Sequence, residues 1–86
     1  MQEILTEISK LISMIVEPLV DYPDEITINT FIDEECEDKA LIEISVNEDD
    51  IGRVIGRSGR TIKSLRTLVR ACASKYDIYV DLELLD

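Results

Sequence analysis

Gly56-Arg57-Ser58-Gly59 is the place in the chain where residue types and spacing suggest binding chemistry. Two glycines bracket a cation and a hydroxyl. Glycine reaches φ > 0 cheaply, and without Cβ atoms Gly56 and Gly59 let a sugar–phosphate backbone come close. A helix is expected to begin directly after the loop, so its unpaired N–H groups would face whatever sits there. Glycines, a helix start and an arginine together make an anion site. A plain helix-to-helix turn would ask for the same glycines, so the surrounding residues must decide between the two readings.

The formal net charge is −10, which by itself argues against nucleic acid. Its distribution argues the other way. No acidic residue occurs between Arg53 and Tyr76, and this stretch holds seven of the nine cations: Arg53, Arg57, Arg60, Lys63, Arg66, Arg70 and Lys75. At about 100° per residue, Ile62, Leu65, Leu68, Val69, Cys72 and Tyr76 share one arc of the expected helix. Arg60, Lys63, Arg66 and Arg70 lie opposite. An ordinary solvated face in so acidic a chain would mix in Glu or Asp, so an acid-free face favours ligand contact.

Other chemistries find no support. Gly52, Gly56 and Gly59 do not make G-x-G-x-x-G, and no Gly-Lys-Ser/Thr is present. Aromatic residues are missing from 32 to 75, which disfavours a base-stacking sheet platform. There is no histidine, and Cys36 and Cys72 form no CxxC pair, so no metal site is expected. No acid or cysteine stands beside an obvious base, and the carboxylates read as exposed or capping. An enzyme, a cofactor and a small-molecule substrate are therefore not expected.

The elements that must position the loop can be read from periodicity. Residues 2–20 carry Ile4, Leu5, Ile8, Leu11, Ile12, Ile15, Val16 and Leu19 at helical spacing, with Pro18 ending or kinking the helix near Glu17. Asp21-Tyr22-Pro23-Asp24 is a turn by composition. Residues 26–32 alternate as a strand, with Ile26, Ile28 and Ile32 on one side. Residues 33–38 form an exposed acidic loop. Residues 41–46 give a second strand, with Ile42, Ile44 and Val46 inward. Asn47 caps a short helix that must stop by Gly56, and Glu48, Asp49 and Asp50 favour its positive end. A longer helix runs from about Arg60 to Tyr76, and Ile78 to Leu84 alternates as a third strand. The 86 residues make at most one domain, 1–86, and the 45% apolar content suffices for one core. The architecture is α+β, in the order α-β-β-α-α-β, with a three-stranded sheet and helices on one face. The apolar run at Leu11-Ile12 and Met14-Ile15-Val16 is broken by Ser13, too short to span a membrane. Glu3 and Glu7 replace the basic start of a signal peptide, which makes the cytoplasm the expected compartment.

Val54-Ile55-Gly56-Arg57-Ser58-Gly59-Arg60-Thr61-Ile62 resembles the KH-domain signature Ile-Gly-x-x-Gly-x-x-Ile. The helix–strand prefix resembles the bacterial type II arrangement. Pro18-Leu19-Val20-Asp21-Tyr22-Pro23-Asp24-Glu25, Asp50 to Gly56 and Ile62 to Val69 are similar to the small stand-alone KhpA family, so the likeness covers nearly the whole chain. It implies that Gly56, Arg57, Ser58 and Gly59 clamp the backbone of about four unpaired nucleotides. It implies that Val54, Ile55 and Ile62 line an apolar cleft, although Ile62 also fits a pure core role, and that Arg53, Arg60 and Lys63 add phosphate contacts. It further implies a mixed sheet, a single-stranded RNA partner, an RNA-chaperone or post-transcriptional role, and pairing as a homodimer or with a second KH protein, KhpB. In that family the pair is tied to cell-wall and cell-length control. The loop 33–38 is more acidic than the family pattern, and Arg-Ser stands where Lys-Gln or Arg-Gln is familiar. A competing expectation is a protein-interaction module with a KH fold and weak RNA binding.

Overall fold

The computed structural model describes residues 1–86. Helix α1 spans Gln2–Val16 and buries Leu5, Ile8, Ile12 and Val16, the three- and four-residue spacing of one helical face. It ends where Pro18 forbids a further turn. The proline sits in the first positions of a 3-10 turn, Glu17–Leu19, where its ring is tolerated. A second 3-10 turn, Pro23–Glu25, leads into strand β1, Thr27–Ile32. Strand β2 is Lys39–Ser45 and strand β3 is Tyr79–Leu84. Helix α2 is only Ile51–Ile55, and helix α3 is Arg60–Ser74.

The sheet order is β1-β2-β3. β1 pairs antiparallel with β2, Ile28 opposite Ile44, and β2 pairs parallel with β3, Ile42 opposite Leu82. The sheet is therefore mixed, and the element order is that of the type II KH arrangement. The two edge strands differ in burial. In β3, Val80 and Leu82 are buried, whereas no β1 residue is.

A core of 15 residues joins α1, α2, α3 and the inner face of the sheet. Leu5, Ile12, Val16, Ile42, Ile44, Val54, Val69 and Val80 are its fully enclosed large members. The helical pattern expected of α3 holds for Ile62, Leu65 and Val69, with Ala73 completing the buried row. Leu68 and Tyr76 are exposed, because they flank the centre of the apolar arc and no element covers the flanks. Ile32, expected to face inward, is also exposed; it closes an edge strand beyond the reach of the helices.

Asp50 fixes α2 in place. It was expected to favour the helix dipole from an exposed position, yet it is 0% exposed. Asn47 does cap, accepting from the Asp49 N–H at 2.8 Å, but the turn it caps is a 3-10 turn, Glu48–Asp50, that delivers Asp50 into the interior. There its Oδ1 accepts from the Asp21 N–H (3.0 Å) and from Arg53 Nη1 (2.9 Å), and its Oδ2 accepts from the Tyr22 N–H (3.1 Å). Arg53 Nη1 also reaches Asp21 Oδ2 at 3.0 Å. Burial pushes the Asp50 carboxyl up, but the two N–H groups and the guanidinium outweigh it and hold it below the usual carboxylate range. A carboxyl whose folded pKa is lowered stabilises the fold above its unfolded value, about 4, and that contribution disappears as pH falls through the lower folded value. In thermal melts, Asp50→Asn is thus expected to lower Tm at pH 7, and the gap to the unaltered protein should narrow as pH drops below about 4. A gap of constant size would show that the charge on Asp50 does not matter.

Candidate nucleic-acid interface

The chain between α2 and α3 turns on three unusual conformations. Gly56 has φ +77° and ψ 173°, Ser58 has φ +56°, and Gly59 has φ +73°. The two glycines are required for different reasons. A Cβ on Gly56 would strike Thr61 Oγ1 and lie 2.7 Å from Thr61 Cβ, so both its backbone angles and its packing exclude a side chain. A Cβ on Gly59 would meet nothing closer than Lys63 Cε at 4.0 Å, so only its left-handed angle favours glycine. Ser58 takes the left-handed region at a cost that glycine would avoid. The Gly59 N–H closes the turn on the Gly56 carbonyl at 3.1 Å.

The turn thrusts Arg57 and Ser58 into solvent. Immediately behind them α3 begins, with Gly59 at its N-cap and no side chain accepting from its first N–H groups. The first turn contains no acid, and Arg60 lies at its first position. A cation at the positive end of a helix is unfavourable, typically by 0.3–1 kcal/mol. The chain thus gathers Arg57, Arg60 and Lys63 around an uncapped helix start.

The expected basic stripe divides in two. Arg57, Arg60 and Lys63 are exposed and make no ion pair. Arg66 Nε instead donates to the Leu82 carbonyl on the outer edge of β3 at 3.0 Å. Arg70 Nη2 reaches Asp81 Oδ1 at 3.1 Å, and its guanidinium lies 5.8 Å from the centre of the Tyr79 ring. Arg53, which the sequence places among the phosphate contacts, holds Asp50 and Asp21, although its side chain stays 49% exposed. Of the three apolar residues expected in a cleft, Ile55 is 38% exposed beside the loop, Ile62 is buried at the foot of α3, and Val54 has no exposed surface. Val54 can shape a cleft only through its neighbours.

The family model for the KhpA/KhpB KH domain matches residues 9–84. This chain belongs to that family. Among its relatives is the RNA-binding protein KhpA of Borreliella burgdorferi, 43% identical over 77 residues that cover 90% of each chain. The RNA-binding protein KhpA of Bacillus subtilis is 43% identical over 76 residues, 88% of this chain and 90% of that one. The RNA-binding protein KhpA of Oceanobacillus iheyensis is 47% identical, with 84% and 95% covered. The KH signature Ile55-Gly56-Arg57-Ser58-Gly59-Arg60-Thr61-Ile62 is therefore the α2–turn–α3 unit described above. Asp21, Asp50 and Thr61 support it in ways that their sequence context did not indicate. The Asp50–Arg53 spacing, one helical turn, was the available signal for the ion pair.

Two substitutions separate the forces at the turn. Gly59→Ala should cost about 1 kcal/mol from backbone strain alone, and Gly56→Ala clearly more, because Thr61 must also move. Denaturant unfolding of both variants checks the order; equal losses would mean that Thr61 yields freely. Arg60→Glu should raise Tm by about 2–4 °C, by matching the helix dipole.

Proposed function

We propose that this protein binds single-stranded RNA by its sugar–phosphate backbone. Gly56 and Gly59 bring a phosphate against the uncapped start of α3, Ser58 supplies a hydroxyl, and Arg57, Arg60 and Lys63 supply charge. The observation that carries this reading is the set of three unpaired cations around an uncapped helix start, in a chain with twice as many acids as bases. That arrangement costs the free protein stability, and an anion relieves the cost. The KH membership and the RNA-binding relatives point the same way. The exposed Ile55, backed by Ile62 and Val54, offers an apolar surface for one unstacked base beside the clamp. Arg53 reaches a phosphate only by sharing or leaving its two carboxylates, so its contribution is small.

Such a clamp reads little sequence, and few phosphates are neutralised, so affinity for an isolated domain is weak. A role in post-transcriptional regulation or RNA chaperoning in the cytoplasm, including control of cell-wall growth and cell length, fits a protein of this kind. A second KH domain, from another copy or from KhpB, would add contacts and strengthen the grip. One observation favours a protein partner in its own right: Leu11, Leu68 and Tyr76 are exposed on the helical side, and Leu11 and Tyr76 flank a groove between α1 and α3.

Arg57→Asp with Ser58→Asp should abolish binding of a labelled single-stranded oligonucleotide, measured by anisotropy, while far-UV circular dichroism is unchanged. Undiminished affinity would sink the proposal. For the unaltered protein, log affinity against log salt should fall with a slope near −2, from about −0.7 for each of three phosphate contacts. Arg66→Gln and Arg70→Gln should leave that slope almost unchanged, because both guanidiniums already have partners on β3. Sedimentation over a range of concentrations tests the protein partner: a strictly monomeric chain that binds RNA leaves the self-association reading without support.

A further inference from the structure

The proposed RNA site does not use the outer face of the sheet. All three helices pack on the inner face, leaving the alternate side chains of the strands uncovered. Strand register sets Phe31 opposite Leu41 and Leu41 opposite Asp81, with Tyr79 beside them opposite Lys39. Phe31 is 51% exposed and Tyr79 49%. Together with Leu41 they border an open depression of about 310 Å³ at the end of the sheet where the β1–β2 loop emerges. That loop, 33–38, carries Asp33, Glu34, Glu35, Glu37 and Asp38; Asp81 and Glu83 continue the rim along β3, where Arg66 and Arg70 stand beside them and offset their charge. Lys39 is the only cation in the depression.

The fold itself shows which chemistry this rim accepts. Arg70 belongs to α3, on the other side of the sheet, yet its side chain comes round the exposed edge of β3. Its guanidinium is held there by the Asp81 carboxylate at 3.1 Å and by the face of Tyr79. A carboxylate beside an aromatic ring is a receptor for a cationic side chain. The carboxylates of the 33–38 loop make no ion pair with any basic side chain of this chain.

We infer that the outer sheet face docks a basic polypeptide segment, with Lys or Arg side chains on the acidic rim and an apolar side chain between Phe31, Leu41 and Tyr79. The site is separate from the Gly56–Gly59 turn and does not depend on it. The segment's charge fits the net −10 of the chain and the acids massed around the depression. RNA is repelled from the same rim, so the two faces take ligands of opposite charge.

The test uses the full chain, labelled with 15N, and a synthetic probe, Lys-Leu-Arg-Lys-Leu-Arg-Lys-Leu. The expected result is saturable shift of the amides around Phe31, Leu41 and Tyr79 and of the 33–38 loop, weakening as salt rises. Phe31→Ser with Tyr79→Ser should reduce affinity about tenfold or more, as loss of anchor residues does. Glu34→Lys with Glu37→Lys, both exposed, should reduce it comparably, which guards against a folding defect in the first pair. Arg57→Asp with Ser58→Asp should leave probe binding unchanged. Shifts confined to the α1–α3 groove, an equal response to the all-Ser/Lys version of the probe, or shifts that the two sheet-face pairs do not diminish would overturn the inference. So would sedimentation showing that a second copy, its own Arg57–Lys63 surface seated on this face, occupies the site at the working concentration.

Discussion

A single buried carboxylate, Asp50, sets where α2 lies, and nearly everything about the candidate RNA site follows from α2. Five residues cannot hold a helix or its direction unaided. Val54 anchors α2 in the core, and Asp50 ties its start to the backbone of Asp21 and Tyr22, at the exit from α1. The far end of α2 is then the position of Gly56, and the contact between Gly56 and Thr61 sets how α3 departs. The loop is thus aimed by a relay of local constraints, each short in range, from the end of the first helix to the start of the third.

The same carboxylate also shapes the electrostatics. A buried charge needs a partner, and Arg53 meets that need at the expense of the basic stripe. Arg66 and Arg70 are withdrawn in a different way, by a carbonyl on the open edge of β3 and by Asp81. Lys75 lies over Tyr76. Of the seven cations in the acid-free stretch, Arg57, Arg60 and Lys63 have no side-chain or carbonyl partner, and all three lie at the start of α3. An acidic protein can attract a phosphate chain under these conditions only locally, within about a Debye length of the loop, before the remaining carboxylates dominate the field.

The parts of the fold visible in the sequence were those where one period rules a long segment: the buried row of α1, the alternation in β3, the glycines of the turn. Helix ends that proline or glycine enforces were visible too. The exposed positions of Ile32, Leu68 and Tyr76 were not, because periodicity assigns a face but not how far a neighbouring element extends over it. Nor could composition reveal that Asp50 lies inside while its neighbours Glu48 and Asp49 lie outside. Three consecutive acids before a helix look alike until the 3-10 turn decides which one points inward. The destinations of Arg66 and Arg70 depend on β3 lying beside α3 as an edge strand, a long-range fact with no local mark. That the sheet is mixed came from the family resemblance, since alternation is silent on strand direction; which pair is parallel had no mark in the sequence.

The turn from Gly56 to Gly59 is where local preference and the observed structure part most sharply. A serine takes an angle suited to glycine, a helix starts without a side-chain cap, and an arginine stands at its positive end. Serine at 58 and arginine at 60 each lower the stability of the free protein, and glycine or asparagine at 58 and glutamate at 60 would avoid both costs, whereas the left-handed cap position keeps glycine and with it the missing side-chain cap. Packing does not demand them, because Ser58 and Arg60 are exposed. Costs of this kind persist where a ligand gives them a use. An anion would accept the free N–H groups, neutralise the crowded cations and leave the turn satisfied. A phosphate would be favoured at this loop less by what the loop contains than by what the unbound loop leaves unpaired.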